Sequence, residues 1–195
     1  MTGISLSNND SGTANTVFGK SIGTIDAGTN YNTWIGDQVA GSGTLADATD
    51  NTALGYYVLN NLTSGVNNVG IGSTTMQMNT SGGYNVAVGM SSLRYNQTGI
   101  NNVAIGTYSQ RGVISNSASS NVSVGYSSLY AITTGSSNTG VGQEVLKAIT
   151  IGQNNVAIGE NSLRAEDVGN FTTAIGYRAG YSQNSDSNNE DTGNT

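Results

Sequence analysis

The sequence predicts an all-β protein, a parallel β-solenoid (β-roll) of about ten 17-residue coils. The first observation is a short phrase, Asn-Val-Ala-Ile-Gly or a close variant, whose clearest copies begin at Asn85, Asn102, Asn121 and Asn155. The second is the spacing of its central glycine, which recurs every 17 residues with two intervals of 19. The third is that only 35% of the residues are hydrophobic, which is enough for the narrow hydrophobic core of a repeat fold. These central residues, called here the anchor glycines, are Gly19, Gly36, Gly55, Gly72, Gly89, Gly106, Gly125, Gly142, Gly159 and Gly176.

Each anchor glycine is preceded by a segment with the two-residue alternation of a strand. The residues one and three positions before it are apolar or β-branched, for example Val88 and Val86, and are predicted to form one half-buried face. The residue between them is small, as at Ala87, so its cover must approach the backbone closely. Because a short coil encloses little volume, this small-residue face predicts intertwined or side-by-side packing of identical chains, with a homotrimer preferred. Val17 and Trp34 break the pattern and predict a wider or differently capped N-terminal end.

Four positions before the anchor glycine, asparagine recurs in almost every copy. Parallel coils stack at about 4.8 Å, so these amides are predicted to hydrogen-bond in register as a structural ladder. An asparagine that bonds its own backbone in a turn explains the same pattern, and the sequence leaves both interpretations open. The principal ladder residues are Asn68, Asn85, Asn102, Asn121, Asn138 and Asn155.

The segment after each anchor glycine is predicted to be a second strand, because leucine or methionine recurs at its fourth position. A further glycine, such as Gly65 or Gly82, stands seven residues before the next anchor and predicts a turn with positive φ. The two longer intervals are expected to place their extra residues in polar loops, over 41–50 and 111–120. Ten stacked coils predict a rod roughly 45 Å long.

Composition divides the chain into three parts. Residues 1–14 are predicted to be an N-terminal cap or linker, residues 15–180 the β-solenoid repeat domain, and residues 181–195 a polar, acidic C-terminal tail. The acidic residues of the tail include Asp186, Glu190 and Asp191.

The residue types that enzymes use most are scarce. The chain has no Cys and no His, which removes thiolate chemistry, the commonest general base and the commonest metal ligand. The carboxylates of Glu144, Glu160, Glu166 and Asp167 are expected on the outer rims of coils without a positioned partner. We therefore expect no catalytic activity, no cofactor and no metal.

Charge and hydropathy limit the partners. Six Lys and Arg residues and a net charge of -6 argue against nucleic-acid binding. No apolar run approaches the roughly 20 residues of a membrane-spanning helix, and residues 1–10 lack the basic and apolar regions of a signal peptide. We therefore expect no membrane insertion and a location outside the cell or on a virion surface. The chain would reach it without the general secretory route, or else is an excised fragment.

Most of the basic residues fall five positions after an anchor glycine, together with tyrosines. Guanidinium groups that fork onto carboxylate or phosphate, beside rings that stack on sugar faces, predict a glycan-binding or partner-binding site. The same column also fits a solvated surface, ion pairs with a neighbouring chain, or docking of the tail carboxylates from an adjacent subunit. This binding column consists of Arg94, Arg111, Tyr130, Lys147, Arg164 and Tyr181, and the tail carboxylates are those of Asp186, Glu190 and Asp191.

The pattern NVAIGxxSL, iterated with small residues before the Ile-Gly pair, resembles the head-domain repeats of trimeric autotransporter adhesins and related repeats of phage tail fibres. The resemblance covers residues 15–180. It implies a left-handed parallel β-roll, three chains packed side by side, and attachment to a cell surface.

Three functions are therefore expected, in descending order. The first is a structural and adhesive fibre module that mediates attachment, with a cell-surface glycan or receptor as partner. The second is a self-assembling extracellular filament subunit, which would stack head-to-tail because both ends of a solenoid are open strand edges. The third is an ice-binding solenoid, which requires threonine ladders on a solvent face. It is disfavoured because the threonine column is shared with valine and predicted to be partly buried.

Overall fold

The computed structural model describes residues 5–6, 14–42 and 44–184, and in these ranges it is an all-β fold without a helix. The strands are β1 (Ser5–Leu6), β2 (Thr16–Lys20), β3 (Thr24–Ile25), β4 (Thr33–Asp37), β5 (Thr44–Leu45), β6 (Thr52–Tyr56), β7 (Val69–Ser73), β8 (Val86–Val88), β9 (Val103–Ile105), β10 (Val122–Val124), β11 (Thr139–Val141), β12 (Val156–Ile158) and β13 (Thr173–Ile175). An 11-stranded sheet has the order β1-β2-β4-β6-β7-β8-β9-β10-β11-β12-β13, and β3 pairs with β5 in a small second sheet. The predicted parallel β-solenoid is confirmed.

Equivalent positions of successive coils lie in register. Val86 pairs with Val103, and Val156 pairs with Thr173, in parallel strands. The parallel strands of the large sheet delimit about nine turns, compared with the ten predicted. The strand β1 is the exception, since it pairs antiparallel with β2 at Phe18. The N-terminal edge is therefore partly covered, and the expectation that both edges are open is wrong at this end.

The column of small residues faces the interior of the solenoid. Ala87 and Ala104 are fully buried. A Cβ added at Gly70 would lie 2.8 Å from Cγ1 of Val58 and 3.1 Å from Cε of Met76. The prediction that a neighbouring chain covers this face is wrong, because the chain's own aliphatic side chains cover it and leave little room.

The segment after each anchor glycine is a turn, apart from β3 and β5, so the predicted second strand is wrong for most coils. The residues two and four positions after the anchor have positive φ, as at Ser91 (55°) and Leu93 (50°). This left-handed conformation bends the chain while Leu93 remains fully buried. Hydrogen bonds to the next coil continue through the turn, including Leu93 N to Ser109 O at 3.1 Å. The turns are thus stacked as regularly as the strands.

The glycine that stands seven residues before most anchors permits close stacking of the coils and does not have the predicted positive φ. Gly82 and Gly135 do not have positive φ. A Cβ added at Gly135 would lie 2.6 Å from O of Gly152 in the next coil. A methyl group at Gly135 would therefore press against the next coil, although Ala118 takes the equivalent place before Gly125.

The interior contains two hydrophobic clusters, one within residues 17–104 and one within 118–174. A polar layer separates them in the coil between Gly106 and Gly125, one of the two coils with two extra residues. The buried side chains of this layer are Ser109, Gln110, Asn116 and Ser123.

Trp34 fills the interior of the N-terminal coils. It is fully buried where most coils have Ala or Gly, in the same cluster as Leu45, and Ile22 and Ile25 pack against that cluster. The second sheet also lies here, because Ile25 pairs with Leu45. This arrangement agrees with the wider N-terminal end that the sequence predicts.

Candidate binding and assembly surfaces

The outer side of the large sheet, called here the sheet face, carries many exposed apolar side chains. It is formed by the residues five, three and one positions before each anchor glycine and one position after it, which share one parity of the strand. The predicted half-buried columns lie at its centre, and Ile158 and Ile175 are 38% and 68% exposed. The turn segments cover only the opposite side of the sheet, so the sheet face lies open to solvent. Its exposed large hydrophobic residues are Phe18, Tyr31, Leu54, Tyr56, Tyr84, Val86, Met90, Ile105, Val122, Tyr126, Val141, Ile158, Phe171, Ile175 and Tyr177.

The centre of the sheet face carries no charge. Its two central columns contain no Asp, Glu, Lys or Arg, and the charged residues Lys20, Asp37, Asp50 and Glu160 lie in the two outer columns. Strands about 4.8 Å apart and columns about 6.6 Å apart give a surface of about 43 by 20 Å, or about 900 Å². Each partner in a standard protein interface contributes about 800 Å². The sheet face is therefore large enough to form one.

Threonine is partly exposed on the sheet face. Thr16 and Thr52 are exposed, so the expectation that burial disfavours a threonine surface is wrong at these positions. Valine occupies the four consecutive coils from Val69 to Val122 in the same column. The column therefore does not form a continuous threonine ladder.

The asparagine column is a buried hydrogen-bonded ladder. The Oδ1 of Asn85 accepts hydrogen bonds from N and Nδ2 of Asn102, at 2.9 and 3.0 Å. The Nδ2 of Asn85 also donates to O of Gly99 at 3.0 Å. The ladder ends where Thr172 N donates to Oδ1 of Asn155 at 3.0 Å. The same bonds recur at Asn68, Asn121, Asn138 and Asn155, and local turn bonds supplement them at Asn32, Asn51 and Asn121.

The first half of the binding column is a stack of cations and rings. The Cζ atoms of Arg94 and Arg111 lie 5.1 and 4.8 Å from the ring centroid of Tyr95. Arg111 also lies 5.3 Å from the ring of Tyr130, and its Nη1 donates to the Tyr130 hydroxyl at 3.0 Å. Its Nη2 donates to the Tyr95 hydroxyl at 3.3 Å, and Nε of Arg94 donates to Oε1 of Gln77 at 2.9 Å. No carboxylate of the described residues forms an ion pair with either arginine.

The second half of the binding column is neutralised by a carboxylate. The Nζ of Lys147 lies 2.6 Å from Oε1 of Glu144, and Nε of Arg164 lies 2.8 Å from Oε2. The hydrogen bonds from Lys147 and then Arg164 hold the pKa of the Glu144 carboxyl below its usual value, although burial opposes them. The hydrogen bond with Glu144 raises the pKa of Arg164, which also lies 5.9 Å from the Tyr181 ring. The expectation that Glu144 has no positioned partner is therefore wrong.

Glu166 also departs from its expected place on an outer rim. Its side chain is fully buried, and Oε1 accepts a hydrogen bond from N of Gly169 at 2.8 Å. Its role is thus structural. The tail carboxylates of Asp186, Glu190 and Asp191 lie outside the described residues, and their docking stays a prediction.

A shallow groove of about 310 Å³ lies near the C-terminal end of the solenoid. Its lining combines amides and aliphatic groups with one ring and carries no charge, which suits an uncharged polar ligand. The lining residues are Thr134, Ile151, Gln153, Asn154, Val168, Asn170 and Phe171. Across the described ranges, no three His, Cys, Asp or Glu side chains gather as a metal site, and no helix is long and apolar enough to cross a membrane.

Two residues of the cation stack were missed from the sequence. Gln77 stands in the same column as Arg94, one coil earlier. Its repeat position therefore predicts that the two side chains lie close together. Tyr95 lies one position beyond the column, and no periodicity marks it. Comparisons with known proteins add no assignment, since no protein-family model, curated protein or solved structure matches the chain.

Proposed function

We propose that the chain is a non-enzymatic structural and adhesive fibre module, of the phage tail-fibre or trimeric adhesin-head kind, that mediates attachment to a cell surface. It acts outside the cell or on a virion surface as a homotrimer of side-by-side solenoids. The observation that carries this proposal is the sheet face, a surface about 43 Å long whose two central columns carry no charge and which no described segment of the chain covers.

Covering the sheet face provides a large driving force for assembly. Soluble monomers rarely expose a contiguous apolar patch larger than a few hundred Å². The two central columns supply about half of the roughly 900 Å². At about 25 cal/mol per Å², their burial contributes on the order of 10 kcal/mol per chain before the cost of association. Because every coil presents the same columns, identical chains aligned along their axes bury like residues against like, and closed symmetry leaves no face exposed.

The interior supports a rigid structural role. The asparagine ladder runs through the whole stack from Asn15 to Thr172, and each step combines side-chain and backbone hydrogen bonds. Each bond contributes about 1 kcal/mol, so the summed resistance to bending or unzipping grows with the number of coils. A stiff rod of this kind holds a receptor-binding surface away from the particle or cell that carries it.

The mass of the assembly tests the proposal. We expect wild-type protein to have the mass of three chains by light scattering coupled to size exclusion. The double variant Ile105→Glu/Val122→Glu places two carboxylates at the centre of the sheet face, where both residues are half-exposed. We expect it to have the mass of one chain with unchanged far-ultraviolet circular dichroism. A monomeric wild type would contradict the proposal.

The matched control is Val113→Glu/Ile114→Glu. These residues are at least as exposed, at 45% and 70%, but they lie in a turn outside the sheet face. The control adds the same charge and removes similar apolar area. We expect it to leave the trimer intact, and dissociation of both double variants would show that charge alone acts.

A head-to-tail filament is the second candidate. It is supported by the C-terminal edge, where β13 is the last strand of the sheet and a Cβ at Gly176 would meet nothing within 4 Å. It is opposed by β1, which pairs with β2 at the other edge. In the same light-scattering experiment a filament gives masses that grow with concentration, whereas the trimer gives one fixed mass.

A further inference from the structure

The coil between Gly106 and Gly125 departs from the repeat in three ways. It is two residues longer than its neighbours. It contains Gln110 in the interior column where the adjoining coils have leucine. It also exposes Val113 and Ile114 in a turn that follows Arg111 directly. Positions where a repeat breaks its own rule without a gain in packing are often functional.

Arg94 and Arg111 stand in adjacent coils at this departure. Their backbones are about 4.8 Å apart along the stack, so two positive charges are held close together. The described residues supply no carboxylate to separate them. The Nη1 and Nη2 of Arg94 donate to no acceptor among the described residues, where the one hydrogen bond of the Arg94 side chain runs from Nε to Gln77.

The rings hold these guanidinium groups in place. The Tyr95 ring contacts the guanidinium groups of both Arg94 and Arg111, and Tyr130 contacts Arg111 through both its ring and its hydroxyl. Fixed guanidinium groups lose little conformational freedom on binding an anion. The Nη1 and Nη2 of Arg94 form a fork that matches an oxyanion, and Arg111, whose Nη1 and Nη2 each donate one hydrogen bond to a tyrosine, adds a second positive charge. The Tyr95 ring lies against both guanidinium groups, so it is less suited to stacking on a sugar face than the sequence interpretation assumed.

We propose that Arg94 and Arg111 form an oxyanion-binding site that takes the carboxylate or sulfate groups of an anionic polysaccharide. The inference rests on the proposed function, for which it supplies the chemical class of the receptor. Oxyanion groups of one polymer pair with the two guanidinium groups, which lie around the same Tyr95 ring. Lys147 and Arg164 do not take part, because Glu144 already occupies both of them.

Binding to labelled polymers tests the proposal on the full chain. The probes are fluorescent dextran sulfate and carboxymethyl dextran, with neutral dextran as the uncharged reference, at low ionic strength. We expect wild-type protein to bind at least one of the charged polymers and not neutral dextran, with affinity that falls as salt screens the contact. The stronger of the two charged polymers identifies sulfate or carboxylate as the preferred group.

Two double variants with equal charge change separate a site from general electrostatics. We expect Arg94→Gln/Arg111→Gln to lower the affinity about tenfold or more, because it removes two charge-assisted hydrogen-bond donors. Lys147→Gln/Arg164→Gln should change it less than about twofold. If the first pair perturbs folding, Arg94→Gln alone tests the same site, since among the described residues it removes only the hydrogen bond to Gln77 and the contact with the Tyr95 ring.

Equal losses in both double variants, absent binding by the wild type, or equal binding of neutral dextran would overturn the proposal. Tighter binding of a single-stranded oligonucleotide than of either polysaccharide would also overturn it. The mass measurement remains independent of this result. A trimer that does not bind anionic polymers would contradict only the proposed oxyanion-binding site. A monomer that binds them would contradict only the proposed trimer.

Discussion

The Nε2 of Gln110 donates a hydrogen bond of 2.8 Å to Oδ1 of Asn102, and both side chains are fully buried. This bond links the interior column of the solenoid to the asparagine ladder. Gln110 occupies the place held by Leu93 and Leu129 in the adjoining coils, and its Oε1 has no partner among the described residues. The coil thus contains a buried, unpaired acceptor at a position where the adjoining coils have an apolar side chain.

Replacement of Gln110 by leucine should stabilise the protein. The change removes the unpaired acceptor and joins the two hydrophobic clusters, while Asn102 Oδ1 keeps two donors from Asn121. Leucine tolerates the local backbone, since Gln110 has φ 46° and Leu129 has φ 50°. We expect a gain of about 1 kcal/mol in the free energy of urea unfolding. Gln110→Ala, which opens a cavity, should instead destabilise, and a loss with leucine would show that the polar layer itself is needed.

Removal of one amide should break the asparagine ladder locally. Asn85→Ala deletes the acceptor of two hydrogen bonds and leaves the buried N of Asn102 unpaired, at a cost of about 3 kcal/mol. Hydrogen exchange of the Asn102 amide reports this directly, because its acceptor is the deleted side chain. Asn61→Ala, a half-buried position outside the ladder, should change stability by less than about 0.5 kcal/mol. Unchanged exchange at Asn102 would show that the amide ladder contributes nothing.

Alanine substitutions at two anchor glycines distinguish the cost of an unfavourable backbone conformation from the cost of a clash with the next coil. Gly159 and Gly176 have similar φ, 120° and 127°, but a Cβ at Gly159 would lie 2.5 Å from O of Gly176, whereas one at Gly176 meets nothing. Gly176→Ala should therefore cost only the conformational term, about 1–2 kcal/mol. Gly159→Ala should cost about 2 kcal/mol more, because the last coil must move away. Urea unfolding of both variants measures the difference, and equal costs would mean that the coils adapt freely.

The stacked strands could be predicted from sequence because the repeat places like residues above one another. Which side of the sheet faces the interior of the solenoid could not be predicted from sequence. Alternation shows that Gly70 and Ile71 point to opposite sides, but it does not show which side the chain itself covers. That depends on Met76, which the positive φ of Thr74 and Met76 turns back over Gly70. Thr and Met rarely adopt a left-handed conformation, so the sequence predicts a strand where the structure has a turn.

The candidate binding column was predictable in position but not in pairing. Arg94 and Arg111 share a repeat position, which the spacing reveals. The carboxylate of Glu144 lies at another repeat position, and its reach to Arg164 in the next coil depends on side-chain geometry. The sequence therefore predicts one column of six residues. In the structure, Glu144 forms ion pairs with Lys147 and Arg164, whereas Arg94 and Arg111 form none with the described residues.

Acid should weaken the ion pairs of Glu144 with Lys147 and Arg164. The pKa of Glu144 is lowered in the folded protein, so its ion pairs stabilise the fold fully above the usual glutamate pKa of 4.5 and are lost as pH falls through the lower folded value. We expect Glu144→Gln to be about 1 kcal/mol less stable at pH 7, and this difference should shrink as pH falls from about 5 to 3. Thermal unfolding across this range measures it. Glu160→Gln, an exposed carboxylate in no ion pair with the described residues, should show no such convergence. If the gap between Glu144→Gln and wild type stays constant below pH 4, the missing stability arises from packing and not from the charge of Glu144.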